Sequence, residues 1–102
     1  MSVVSVLGLQ PRPGAAEELA RRFGALEIFE HSRQSGGFLG GRLLRALEGE
    51  AFVVVAEWET EADYQRWLDN PVRAELGAEL EPLLDADLAS ARLYEEVRWP
   101  SG

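Results

Sequence analysis

Ala51-Phe52-Val53-Val54-Val55-Ala56-Glu57-Trp58 is the strongest β signal in the chain. A short run of β-branched and aromatic residues suits a strand better than a helix. Upstream, Glu48-Gly49-Glu50 fits a tight connection to a strand over Phe38 to Leu47, so the two are expected to pair antiparallel. Gly40-Gly41 inside that strand predicts a bulge or strong curvature. Downstream, Thr60 is placed to cap a helix, with Asp63 at the matching position of a shortened capping box. That helix is expected over Ala62 to Leu68. Asn70-Pro71 interrupts it, because proline biases the preceding residue away from helical geometry. A second helix is expected from Val72 to Leu84, with Leu76, Leu80, Leu83 and Leu84 inward and Pro82 reshaping its last turn.

Working outward, Val3 to Leu9 reads as a buried strand that Gln10-Pro11-Arg12-Pro13-Gly14 ends. Ala15 to Glu30 reads as one amphipathic helix, with Ala16, Leu19, Phe23 and Leu26 near one face and Gly24 as its weak point. Ser32 to Gly37 closes it. Ala89 to Trp99 is the last strand. Its alternation puts Arg92, Tyr94, Glu96 and Arg98 on one face, and Ala91, Leu93, Glu95, Val97 and Trp99 on the other. The order β-α-β-β-α-β predicts an α+β, ferredoxin-like fold with an antiparallel sheet, in one domain over residues 1–102. Helices would cover one side of that sheet. The other side keeps enough Val, Leu and Trp to predict a homodimer laid sheet to sheet.

Composition narrows the function. Eighteen acids against ten bases, all of them arginine, give a net charge of -8. Such a surface repels phosphate backbones and anionic headgroups, so neither nucleic acid nor a membrane is an expected partner. The stretch from Leu47 to Gln65 alone carries six acids and no base. Cysteine is absent, which excludes disulfides, thiolate nucleophiles and cysteine-held clusters. No basic leader with an apolar run and no long apolar window is visible, so a cytoplasmic location is expected. No Gly-x-Gly-x-x-Gly run or phosphate-cradling loop with lysine is present, which removes the usual case for a bound nucleotide cofactor. His31 is the only histidine. Glu27 one turn before it is too little for a zinc site, so no metal is expected.

Five segments together resemble the antibiotic biosynthesis monooxygenase superfamily of dimeric α/β-barrel proteins. They are Pro13-Gly14, Gly37-Phe38-Leu39-Gly40, Ala56-Glu57-Trp58-Glu59-Thr60, Asp63-Tyr64-Gln65-Arg66-Trp67-Leu68 and Leu93-Tyr94-Glu95. The resemblance spans about residues 3 to 98. It implies a sheet that takes part in a dimeric α/β barrel. It also implies a cofactor-independent monooxygenase acting on an aromatic or phenolic, polyketide-like small molecule.

Trp67 lies one helical turn after Asp63 on the same face. Family members that oxidise anthrone-like phenols carry a Trp near this place, with an Asn one turn earlier where this chain has Asp63. They also use an arginine in the latter half of the chain. The resemblance therefore implies Asp63 as a base, Trp67 as an aromatic platform and Arg92 as a stabiliser of negative charge. Tyr64 and Tyr94 join Trp67 as substrate contacts. Arg73 is a candidate for the cavity mouth. Trp58 and Trp99 are expected in the core or a dimer contact. The haem-degrading branch of the superfamily carries an Asn in its first strand and a His after the Trp helix. Here the nearest strand position is Leu7, and Asn70 to Leu80 contain no His, so haem degradation is disfavoured. A dimeric binding or structural module without catalysis is the remaining alternative.

Overall fold

Four strands form one antiparallel sheet in the order β2-β3-β1-β4. The computed structural model describes residues 2–85 and 91–97. The strands are β1 (Val3–Leu9), β2 (Phe38–Arg45), β3 (Phe52–Trp58) and β4 (Arg92–Glu95). The helices are α1 (Ala16–Ala25), α2 (Ile28–Ser35), α3 (Glu61–Leu68) and α4 (Pro71–Leu80), followed by a 3-10 turn at Glu81–Leu83. Of the last expected strand, Ala89, Arg98 and Trp99 lie outside the described residues.

The antiparallel α+β arrangement follows the ferredoxin-like pattern in part, but the sheet is not closed into a barrel. Closure requires the two edge strands to find hydrogen-bonding partners. Among the described residues, β2 pairs only with β3, and the four-residue β4 pairs only with β1, at the opposite end of the sheet. The barrel implied by the family resemblance is corrected accordingly.

The crossovers also differ from single helices. The expected helix over Ala15 to Glu30 is two, α1 and α2, and the break is not at Gly24. It is at Glu27, whose φ of 52° and ψ of 46° place it in the left-handed region. That conformation costs a non-glycine residue roughly 1–2 kcal/mol. It re-aims the chain so that Ile28 and Phe29 pack against the apolar core. α2 then runs on through Ser32, whose hydroxyl donates to the Ile28 carbonyl at 2.9 Å, and stops at Gly36, with φ of 102°. The α3 start behaves as expected: Thr60 Oγ1 accepts from the Asp63 backbone N–H at 3.1 Å. Asn70 Oδ1 caps α4 by accepting from Val72 N–H at 3.0 Å, and Pro71 occupies a first-turn position that needs no donor. The glycine pair in β2 lies at a register shift between Phe38 and Gly40. A side chain at Gly41 would meet the Phe29 ring, so that glycine permits close helix–sheet packing.

Strand alternation divides the sheet. Ser5, Leu7 and Leu9 of β1 and Phe52, Val54, Ala56 and Trp58 of β3 face the helices. Val4, Val6, Val53 and Val55 occupy the open face. Under the helices lie two buried clusters. One is built around Leu9, Leu19, Phe23, Phe52 and Leu80, the other around Phe38, Trp58, Tyr64 and Trp67. Ile28 and Phe29 touch both. Among the described residues, no helix is long and apolar enough to cross a membrane.

Candidate functional site

The two clusters do not meet completely, and the gap between them is a cavity of about 90 Å3, open on one side. Its floor is the helix-facing side of β1 and β3, and its walls come from α2, α3 and α4. The lining is mainly apolar. Phe23, Phe29, Trp58, Tyr64 and Trp67 supply its aromatic surface.

These rings touch in sequence. Phe23 meets Phe29 edge to face at 5.4 Å, and Phe29 stacks on Phe38 at 5.8 Å. Phe38 meets Trp58 at 5.2 Å, and Trp58 in turn contacts Tyr64 at 5.8 Å and Trp67 at 6.4 Å. Trp58 is fixed at both ends of its chemistry. It is 1% exposed, and its indole N–H donates to Ser5 Oγ at 3.1 Å, which donates to the Ala56 carbonyl at 3.4 Å. Among the described residues, the Trp67 indole N–H has no such partner.

Four polar side chains reach this apolar space: Ser5, Ser32, Tyr64 and Arg73. Ser5 and Ser32 are engaged with the protein, as above. Tyr64 is 5% exposed, and burial raises its phenol above the usual tyrosine range, against the opposing pull of Arg73 and a hydrogen bond from the Ala91 backbone. Its hydroxyl therefore stays protonated through neutral pH and can donate. Arg73 is half-buried. Among the described residues, no Asp, Glu or His stands in the lining.

Of the residues expected at a site, the structure brings Tyr64 and Trp67 together in the cavity wall. It does not bring Asp63 there. Thr60 Oγ1 donates to Asp63 Oδ2 at 2.8 Å and Arg66 donates to Oδ1 at 2.7 Å, beside Gly37 at the start of β2. The Thr60 hydroxyl first, then Arg66, holds the Asp63 carboxyl below the usual range. Arg92 and Tyr94 stand opposite Val6 and Val4 in the β1 pairing, on the open face of the sheet, where Tyr94 is 50% exposed. The sheet separates both from the cavity. Trp58 is a core residue. His31 lies within α2, away from the lining, and no group of three metal-binding side chains occurs among the described residues.

Arg73 belongs to the lining, and its signal was the α4 spacing. Arg73, Leu76, Gly77 and Leu80 fall at i, i+3, i+4 and i+7, one inward stripe. Extending the Leu76–Leu80 stripe back one turn reaches the arginine.

A model of the antibiotic biosynthesis monooxygenase family matches residues 2–77. The mycobilin-producing haem oxygenase of Mycobacterium tuberculosis strain H37Rv is 36% identical over 75 residues, covering 72% of this chain and 70% of that protein. The fold is similar to that of SnoaB, a cofactor-independent oxygenase from Streptomyces nogalater, with a TM-score of 0.79 at 20% identity over 99% of this chain and 98% of that one. It is also similar to a conserved protein from Methanosarcina mazei, with a TM-score of 0.78 at 18% identity over 95% of this chain and 94% of that one.

Proposed function

The chain belongs to the antibiotic biosynthesis monooxygenase family, and from that membership we propose that it is a small cofactor-independent monooxygenase oxidising an electron-rich aromatic or phenolic molecule in the cavity beneath α4. The observation that carries the reading is the pairing of Tyr64 and Trp67 on one apolar, aromatic-lined space. Trp67 offers a ring face and a free indole donor, and Tyr64 offers a protonated hydroxyl. Both act on developing negative charge in a site with little water, where such donors are most effective.

Among the described residues the lining contains no carboxylate or imidazole, so the scheme takes a substrate acidic enough to ionise by itself. Its carbanion or phenolate passes an electron to dioxygen, and the resulting pair recombines as a peroxide. Loss of water from an oxidised CH2 then leaves a carbonyl. One dioxygen and one CH2 become one carbonyl and one water, so no outside reductant enters. Asp63, Arg92 and Tyr94 have no contact role in this scheme. The enclosed space is smaller than the roughly 150 Å3 cavity that holds a benzene. A polycycle would therefore enter by its reacting edge and leave its remainder in the open side.

The test is oxygen uptake with an anthrone-like phenol under metal chelation. Uptake matched by carbonyl product supports the reading, and its absence with a panel of such phenols overturns it. Haem degradation is the second reading, favoured by the 36% identity to the mycobacterial haem oxygenase. The lining does not fit haem. It holds no His to ligate iron, since His31, the single histidine of the sequence, lies away from it.

The proposal includes a homodimer through the open face of the sheet. Val4, Val6, Val53 and Val55 there are flanked by Leu44, 42% exposed. Sedimentation equilibrium tests it: a persistent mass near 11.3 kDa would exclude the dimer.

A further inference from the structure

Among the described residues, the lining of the cavity contains one charged side chain, Arg73. Arg73 begins the inward stripe of α4, where Leu76 and Leu80 follow on the same face. An amphipathic helix ordinarily fills such a position with an apolar residue. The chain also has an excess of acids, and Arg21, Arg22, Arg33, Arg45 and Arg66 are each paired with a carboxylate. Among the described residues, Arg73 has no carboxylate partner. A partly exposed guanidinium at the wall of an apolar cavity, with no carboxylate on it among the described residues, is free to take an anionic group of a ligand.

We propose that Arg73 is a specificity residue that makes the cavity select an aromatic anion, a carboxylate or phenolate, over its neutral counterpart. The guanidinium takes the charged oxygen, and the Tyr64 hydroxyl stands within electrostatic reach of the same group. The ring lies against Trp67 and the apolar side of the α4 stripe. Arginine suits this role because its planar fork matches a carboxylate with two parallel hydrogen bonds. The inference rests on the cavity being the substrate site and deepens that reading by naming the charge of what enters.

Binding is to be measured by calorimetry with benzoate and with benzyl alcohol, its neutral counterpart, on the wild type, Arg73→Gln and Arg73→Lys. A folded Arg73→Gln is checked by circular dichroism. The expected result is a preference for benzoate of about tenfold or more, the yield of one charge-assisted pair. Arg73→Gln should reduce that preference to within about twofold, and Arg73→Lys should restore part of it, since the charge returns without the fork. Equal binding of the two probes, no binding of either, or a preference that survives in Arg73→Gln overturns the proposal. Oxygen uptake is read separately. Charge-selective binding without uptake by any phenol would sink the monooxygenase reading and leave this inference standing. Uptake with charge-blind binding would do the reverse.

Discussion

Trp58 and Trp67 lie ring over ring, with centroids 6.4 Å apart and planes 27° from parallel, yet only the first has its indole N–H tied to the protein. The pair divides labour. Trp58 joins the sheet to the aromatic cluster, and Trp67 lines the cavity with an indole N–H that has no protein partner among the described residues. Trp58→Phe breaks the Ser5 hydrogen bond and removes buried ring volume. It should cost about 1–3 kcal/mol in chemical denaturation. Trp67→Phe should leave the denaturation midpoint nearly unchanged and weaken aromatic ligand binding. Equal losses of stability in the two variants would contradict this division.

Gly41 sets the depth of the cavity from the opposite side. A methyl group there pushes on the Phe29 ring, and the nearest free volume is the cavity itself. Gly41→Ala should therefore cost about 1–3 kcal/mol from overpacking and also reduce binding of aromatic probes. Gly40→Ala, with nothing near its added carbon, is the control. Unchanged ligand binding in folded Gly41→Ala would show that Phe29 moves elsewhere.

The Asp63 carboxyl is held below its ordinary range chiefly by the Thr60 hydroxyl and next by Arg66. Its ionised form favours the folded state. That contribution is present above the unfolded pKa, near 4, and is lost as pH falls through the lower folded value. Thr60→Val should move the Asp63 midpoint upward in a carboxylate NMR titration, and Arg66→Gln should move it less. The reverse order of the two effects would refute the assignment of the main cause.

Tyr64 behaves with the opposite sign. Burial raises its phenol, so the folded state holds a proton that the unfolded chain releases near pH 10. The contribution is full below that pH and is lost as pH rises toward the folded value. Ultraviolet titration should show one tyrosine ionising late, and Tyr64→Phe should abolish that step. Arg73→Gln should delay it further, because the guanidinium opposes the rise.

The strands were readable because β-branched runs and turn residues act locally. Val3–Leu9 fits its sequence expectation residue for residue. The break at Glu27 was not readable. Gly24 is the intrinsically weak position, yet it remains inside α1, and the strained residue is a glutamate. What decides is the burial of Ile28 and Phe29 between two clusters, a tertiary gain that no local window contains. Sheet closure was unreadable for a similar reason, since it depends on how long β4 is and what its free edge meets. At the site, Tyr64 and Trp67 were legible as aromatic residues on the inward face of a helix. The common face of Arg92 and Tyr94 was legible too. Which side of the sheet that face occupies is set by the pairing of Leu93 with Ser5, and register is a long-range fact.

That register ties two properties of the molecule together. Leu93 faces the helices because it sits opposite Ser5, and Arg92 and Tyr94 face outward opposite Val6 and Val4. The side-chain period of a strand is two, so a one-residue slip of β4 toward its N-terminus along β1 reverses every side chain in it. Tyr94 would then oppose Ser5 and Arg92 would oppose Leu7, carrying a cation and a phenol to the helix side, while Leu93 would turn to the open face. One slip of alignment rewrites the inner chemistry and the outer surface at once. Lineages descending from this sequence therefore cannot alter the alignment of β4 for the sake of one surface without exposing the other to selection.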